Sequence, residues 1–382
     1  MVKIIVLGTG LVGGPIAIDL SADKDFNIAA ADVNPNTLNK LKSFQNIQTF
    51  QKNLSDKKEL KDLVKNYDLV VNAVPGFMGF KTLQSLIEAG KSVVDIAFFP
   101  ENLFDLDQLA KKNNVTVISD MGVAPGMSNL LTGYADHMLD STETVKIYVG
   151  GLPKIREWPY EYKAVFSPAD VIEEYTRPAR YIENNRLVIK PALSEPELMD
   201  FPGVGTLEAF NSDGLRSLAT TIKAPDMIEK TLRYKGHIEK MLLLKETGFF
   251  SKEPIELNGV EIIPLELTSK LLFSKWQLKE GDEDITVMKI IVEGKKNNKK
   301  IRYTWDLYDT YDAQTKTHSM ARTTGYAATA AVRLITSGLY SQKGVSPPEY
   351  IGKYHECVKF MLDDLKKRNV IYKETVEIFS NE

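Results

Sequence analysis

Along the first third of the chain, apolar residues gather in six short continuous runs, and amphipathic stretches of helical period separate them. The runs KIIVLG, NIAAAD, NIQTF, DLVVNAV, KSVVDIA and VTVIS lack the alternation of a half-solvated strand. Each therefore predicts a strand buried on both faces. The spacing between them predicts helices over about 11–22, 35–43, 56–66, 79–89 and 101–112, with a sixth beginning near Gly126. Strands alternating with helices return to one sheet by crossovers, which gives an α/β domain with a doubly wound parallel sheet.

The pattern changes after about residue 143. KIYVGGL, YKAVFS, RLVIK, GVEIIPLEL, DITVMKIIVEG and KIRYTWDLYD read as strands joined by polar turns, with helical pieces near 168–174, 225–231 and 236–247. That predicts a second α+β domain on a mainly antiparallel sheet. The small residues of ARTTGYAATAAVRLITSG predict a helix that packs closely and returns to the first domain, and 346–368 reads as a last helix behind Pro347-Pro348. The expected organisation is 1–125 for the first domain, with return helices over about 320–370, and 126–319 for the second.

Composition narrows the function classes. At 382 residues, with 43% hydrophobic and 26% charged residues and a net charge of -3, the chain has no cationic excess with which to neutralise nucleic acid. The one basic run, Lys295 to Lys300, lies between two strand patterns and reads as a solvated hairpin turn. Cys357 is the single cysteine, so neither an internal disulfide nor a cysteine-based zinc site can form, and no metal is expected. The helix near 325–339 is interrupted by Arg333, and the N-terminus enters a strand without a cleavable signal, so a cytoplasmic protein with no membrane partner is expected.

Candidate chemistry starts at Gly8, Gly10 and Gly13. These form G-x-G-x-x-G between a strand and a helix, the context that turns a common glycine pattern into a dinucleotide site. Gly8 allows the sharp turn, Gly10 lets the backbone approach a pyrophosphate, and Gly13 lets the helix pack close. Leu11 and Val12 complete the loop at the helix N-terminus, where unpaired N–H groups favour an anion. Asp32 ends the second strand, 19 residues beyond Gly13, where a carboxylate accepts from ribose hydroxyls. A 2'-phosphate about 4 Å from it would be repelled by roughly 4 kcal/mol at an effective dielectric near 20, and Val33, Asn34 and Pro35 offer no cation. NAD is therefore the expected cofactor.

Asn72, Ala73, Val74 and Pro75 end the fourth strand beside the switch point and are expected to line the dinucleotide. Asp95 and Asp120 end two further strands, where a carboxylate near the nicotinamide could accept a proton as hydride leaves a substrate; a loop hydrogen bond serves Asp95 equally well. Met127, Ser128 and Asn129 open a second helix and are placed to touch ligand. In the second domain Arg177, Arg216 and Arg233 are candidates for bidentate recognition of a carboxylate, and Asp213 and Glu174 for an ammonium. His237 titrates in the useful range, although a lone histidine is more often a structural hydrogen-bonder.

Together GTGLVG, NAVPGFMGF, VDIAFFPEN, SDMGVAPGMSN, YVGGLP, EEYTRPAR, SDGLRS, TLRYKGH and GVSPPE, in this order along nearly the whole chain, resemble the saccharopine dehydrogenase-like family, and most closely its lysine 6-dehydrogenase branch. The resemblance implies a Rossmann domain, a substrate-binding and oligomerising C-terminal domain, and a homodimer or higher homo-oligomer. It implies NAD-dependent oxidative deamination of the ε-amino group of L-lysine, with Asp120 at a position where saccharopine reductases carry a different acidic residue. A saccharopine dehydrogenase or reductase, whose substrate needs more cations, is the alternative; a carboxynorspermidine-type enzyme and a non-catalytic NAD-responsive binding protein stand further off.

Overall fold

The computed structural model describes residues 1–279 and 281–379. Its first compact unit comprises Met1–Asp140, Thr220–Ile222 and Met320–Tyr372. It is built on strands β1 (Val2–Leu7), β2 (Phe26–Asp32), β3 (Ile47–Gln51), β4 (Leu69–Asn72), β5 (Ser92–Asp95) and β6 (Thr116–Ile118). Helices α1 (Gly13–Ser21), α2 (Pro35–Leu41), α3 (Lys57–Val64), α4 (Gly76–Glu88), α5 (Asp107–Lys112) and α6 (Met127–Met138) alternate with them. The strands lie parallel in the order 3-2-1-4-5-6, so the order reverses between β1 and β4. A crevice at such a reversal is where open α/β sheets take their ligands.

The continuous apolar runs are explained by burial on both faces. Ile5, Leu7, Ala29, Ala31, Val70, Val93 and Val117 are enclosed together with Leu83, Leu86 and Ile87 of α4. A seventh strand, Gly344–Ser346, pairs in parallel with β6 and was not visible in the pattern, because three residues carry no period. It follows the return helix Ser319–Thr336, in which Gly325 provides the expected close approach: a Cβ there would lie 3.1 Å from Ile16 of α1. The expected last helix is two, Pro348–Gly352 and His355–Lys366.

The second unit comprises Ser141–Ala219, Lys223–Ser319 and Lys373–Glu382. Its sheet runs in the order Glu197–Phe201, Gly205–Asn211, Asp226–Tyr234, Ser141–Pro153, Asp284–Lys296, Lys299–Thr310, Tyr372–Phe379. Among the described pairings along this path it is antiparallel except where Asp226–Tyr234 lies parallel to Ser141–Pro153. The basic run forms the expected turn: Asn297 and Asn298 both take positive φ between two long strands.

Three expectations fail here. The segment expected as a helix over 225–231 belongs to the strand Asp226–Tyr234; flanked on both sides in the sheet, it buries residues on both faces, Glu229, Lys230 and Arg233 among them, and shows no apolar–polar alternation. GVEIIPLEL splits into Val260–Ile262 and the helix Pro264–Trp276, which Pro264 opens at its first position. YKAVFS forms no strand beyond a single bridge from Ala164 to Gln277. No helix among the described residues is long and apolar enough to cross a membrane.

Candidate functional site

The glycine loop after β1 is shaped by backbone contact. A Cβ on Gly8, at φ +87°, would lie 2.4 Å from the Ala73 carbonyl oxygen, and one on Gly13 would lie 2.0 Å from that of Gly8. Gly10 meets nothing within 4 Å. The loop is thus folded tightly against the end of β4 and left bare at Gly10, which gives room for a bulky anion to approach the backbone. Asp32 stands next to it: its Oδ2 accepts from the Thr9 N–H at 2.6 Å and the Thr9 hydroxyl at 3.1 Å, and its Oδ1 accepts from the Asn34 N–H at 2.8 Å. Leu11, Val33 and Phe77, on the segments that follow β1, β2 and β4, expose apolar side chains, Phe77 by 80%. Apolar surface at a sheet's carboxyl edge suits the flat faces of a nucleotide. Thr9 and Phe77 were not singled out in the sequence, and Val33 only for lacking charge, since a loop threonine or an exposed apolar residue has no signature of its own.

The next strand ends differ from expectation. Asn72 does not face outward; it is fully buried, and its Nδ2 donates to Asp95 Oδ1 at 2.7 Å. Val74 is also turned inward, and Ala73 serves as backing for the glycine turn, while Pro75 is exposed. Asp95 has no exposed surface, and its second oxygen accepts from Ser119 Oγ at 3.0 Å. Burial, and after it the charge of Asp120, pushes the Asp95 carboxyl up to about 8. Asp120 is itself 2% exposed and takes φ +57°, a left-handed conformation that Asp tolerates better than most residues.

The loop 122–126 closes on itself: a Cβ on Gly126 would meet the Gly122 oxygen at 1.8 Å. Carbonyls of Gly122 and Val123 already accept from the N–H groups of Met127 and Ser128, at 2.8 and 3.0 Å. Met127, Ser128 and Asn129 are consequently buried, and the expectation that they present the helix terminus to a ligand does not hold in this geometry.

In the second unit the polar residues pair with one another. Arg233, 2% exposed, donates to Glu174 Oε2 at 2.6 Å, to the Tyr175 hydroxyl at 3.2 Å and to the Leu232 carbonyl at 3.0 Å, and lies over the Tyr162 ring. A guanidinium inside an aromatic core needs such a partner, so Arg233 is not a free carboxylate receptor. Glu174 is likewise committed. His237 donates from Nδ1 to the Tyr160 carbonyl at 2.8 Å and accepts at Nε2 from Tyr175 at 2.9 Å. Burial, assisted by Arg233, drives its pKa down to about 3, so it stays neutral and does not titrate in the useful range.

Asp213 is held bidentately by Arg180, at 2.9 Å from both Nε and Nη2. Arg216 follows in the same loop with φ +53°, nine-tenths buried, and Arg177 lies 3.4 Å from Glu173. Below this loop Glu229 accepts from Ser212 Oγ at 2.8 Å, and burial raises its carboxyl to about 8. Gly214 lies directly above it: a Cβ there would meet the Glu229 carboxyl at 2.1 Å and displace it. Among the described residues no cluster of three His, Cys, Asp or Glu side chains is arranged to hold a metal.

The strand order, the glycine turn and the acid at the end of β2 define a Rossmann-type domain for a nicotinamide dinucleotide. Comparison with known proteins is specific about the lineage: residues 4–118 match the saccharopine dehydrogenase NADP binding domain and residues 122–371 the saccharopine dehydrogenase C-terminal domain. The chain belongs to the saccharopine dehydrogenase family. It is 27% identical over 278 residues to the mitochondrial alpha-aminoadipic semialdehyde synthase of Mus musculus, a match covering 69% of this chain and 30% of that protein. It is 25% identical over 289 residues to the saccharopine dehydrogenase [NADP(+), L-glutamate-forming] of Pyricularia oryzae, over 71% of this chain and 63% of the relative. These matches thus span less than two thirds of those relatives. The apo saccharopine dehydrogenase (L-Glu forming) structure from Saccharomyces cerevisiae shares the fold, with a TM-score of 0.81 and 18% identity over 99% of this chain and 100% of that one.

Proposed function

We propose that the chain is an NAD-dependent oxidoreductase acting on the C–N bond of an amino acid, and in its narrowest form that it deaminates the ε-carbon of L-lysine to the 6-semialdehyde, which cyclises to piperideine carboxylate. The observation carrying the cofactor choice is Asp32, whose carboxylate is bonded to the glycine loop itself where a 2'-phosphate would have to approach. Gly8, Gly10, Leu11, Val12 and Gly13 would hold the pyrophosphate, with Ala73 and Pro75 nearby. When bound, the nicotinamide supplies the hydride acceptor. Asp120 takes a proton from the substrate ammonium, so that the amine lone pair can assist as hydride leaves. Water then adds to the imine and ammonia departs.

Asp95 takes a positioning role in this reading. Burial, and after it the nearby Asp120, keeps it protonated near neutral pH, while Asn72 and Ser119 bond its two oxygens and fix its place. The preference for lysine rests on Arg233. Saccharopine has a glutarate arm with two further carboxylates, and a pocket for it needs extra cations, whereas Arg233 is taken by Glu174. Arg177 and Arg216 are the candidates for the α-carboxylate, which would join the partners they already have. The names of the relatives favour the second reading, saccharopine oxidation.

Purified protein with NAD and L-lysine is expected to form NADH, followed by its absorbance, and to release ammonia. Turnover with saccharopine alone would replace lysine with the second reading. NAD binding without turnover on a panel of amines would leave a non-catalytic binding protein. The reading includes a cytoplasmic homo-oligomer, for which light scattering on the eluting peak gives the assembly.

A further inference from the structure

Asp32 belongs to a cluster of hydrogen-bonding groups. Thr9 donates to Asp32 Oδ2 through its N–H and its hydroxyl, and its Oγ1 lies 2.7 Å from Thr37 Oγ1. The Thr37 hydroxyl also lies 3.0 Å from the Asn34 carbonyl, so its one hydrogen goes either to that carbonyl or to Thr9, and the Asn34 N–H donates to Asp32 Oδ1 at 2.8 Å. Asn34 is at the same time the N-cap of α2, accepting from the Asn36 N–H. The cluster therefore ties the first variable residue of the glycine motif to the first turn of α2, with the carboxylate in the middle.

An ionised carboxylate has about four acceptor positions, two on each oxygen. Both on Oδ2 are used by Thr9, and one on Oδ1 is used by Asn34. We propose that Thr9 and Thr37 are specificity-determining residues for the adenosine ribose, because Thr9 fills Oδ2 of Asp32, Thr37 orients the Thr9 hydroxyl, and one acceptor position, on Oδ1, is thereby left set for a ribose hydroxyl. Thr37 acts at one remove. When its one hydrogen goes to Thr9 Oγ1 and not to the Asn34 carbonyl, the Thr9 hydrogen is directed to the carboxylate. Without Thr37 that hydrogen can turn elsewhere, and the carboxylate gains a second rotational setting in which the free lone pair points away from the ribose. A 2'-phosphate gains nothing from the cluster, because it meets the same negative charge in either setting. The proposal rests on the reading of the site as one for NAD.

The test is calorimetric binding of NAD and of NADP to the full chain, independent of turnover. Thr37→Val is expected to weaken NAD about fivefold, the loss of one net hydrogen bond, while leaving NADP unchanged. Thr37→Ser should restore wild-type binding, and Thr9→Val, which breaks the cluster from its other side, should move NAD in the same direction. In the double variant Asp32→Ala, Thr37→Val, the Thr37 change should add nothing to Asp32→Ala, since it acts only through the carboxylate. Equal loss of both cofactors, no loss of either, or full additivity with Asp32→Ala overturns the proposal and leaves the NAD reading standing so long as the unmodified chain binds NAD more tightly. An unmodified chain that binds NADP more tightly overturns the NAD reading and the proposal with it.

Discussion

At the scale of single residues, Asp95 gives the nucleotide-binding unit a pH signature. Its folded value is raised from the ordinary 3.8 to about 8 by burial and by Asp120. Through that window the folded protein holds a proton that the unfolded chain has released. Stability due to this group is fully present below the ordinary value, falls as pH rises toward 8 by up to about 1.4 kcal/mol per unit, and is lost above it. Asp95→Asn keeps the shape without the titration, so its melting temperature should fall less steeply than that of the unmodified chain between about pH 5 and about pH 8; an unchanged slope would mean that Asp95 is ionised in the fold. Glu229, raised in the same sense, leaves part of the slope in place. Asp32→Ala should narrow the NAD preference by removing the repulsion of a 2'-phosphate, and an unchanged ratio of the two dissociation constants would mean that Asp32 does not face the ribose. Asp32 was legible because strand end and glycine spacing fix a backbone position. The commitments of Arg233 to Glu174 and of Asp213 to Arg180 were not, since they depend on which side chains tertiary folding brings across 59 and 33 positions.

At the scale of elements, contacts too close for a side chain decide most of the motifs. Gly13 begins α1 with its α-carbon against the Gly8 carbonyl, so Gly13→Ala must push the helix off the turn. Loss of NAD binding by at least about tenfold is expected, with overpacking of about 1–3 kcal/mol as the stability cost; binding at wild-type strength would show that the turn has slack. The family-like stretch GVSPPE has the same kind of explanation. A Cβ on Gly133 of α6 would meet the Glu349 oxygen at 2.4 Å, and one on Gly352 would meet the Leu130 oxygen at 2.3 Å. The short helix Pro348–Gly352 is thereby laid directly on α6, and buried Glu349 accepts from Thr221 at 2.6 Å. The parallel sheet was readable from its apolar runs and helical spacers. The error at 225–231 has the same origin as that success: a central strand of a mixed sheet, covered on both faces, carries neither the alternation of a half-buried strand nor a period that separates it from a helix.

At the scale of the whole molecule, the first unit is assembled from segments far apart in the chain, and Arg333 is the device that fastens the returning one. It sits on the helix Ser319–Thr336, where the sequence marked it only as an interruption in an apolar stretch. Its guanidinium reaches Asp23 at 2.8 Å through Nε, Asp364 at 3.2 Å through Nη1 and Asp19 of α1 at 2.9 Å through Nη2. Arg368 adds a second bond to Asp19 at 2.6 Å. The carboxylates therefore converge on cations from the return segment, and the strand Gly344–Ser346 reaches β6 only if that segment is docked. Arg333→Ala removes the central charge; Arg368 still holds Asp19 and Asp364, so the expected loss is that of a charged hydrogen-bond donor, about 1.5–3 kcal/mol. Arg333→Lys restores the charge without the three-way fork and should recover only part of that loss. Because the same docking holds α1, and α1 holds the glycine turn, both variants should also weaken NAD binding in proportion to their loss of melting temperature. A melting temperature for Arg333→Ala equal to that of the unmodified chain would mean that the return segment is held by its apolar contacts alone.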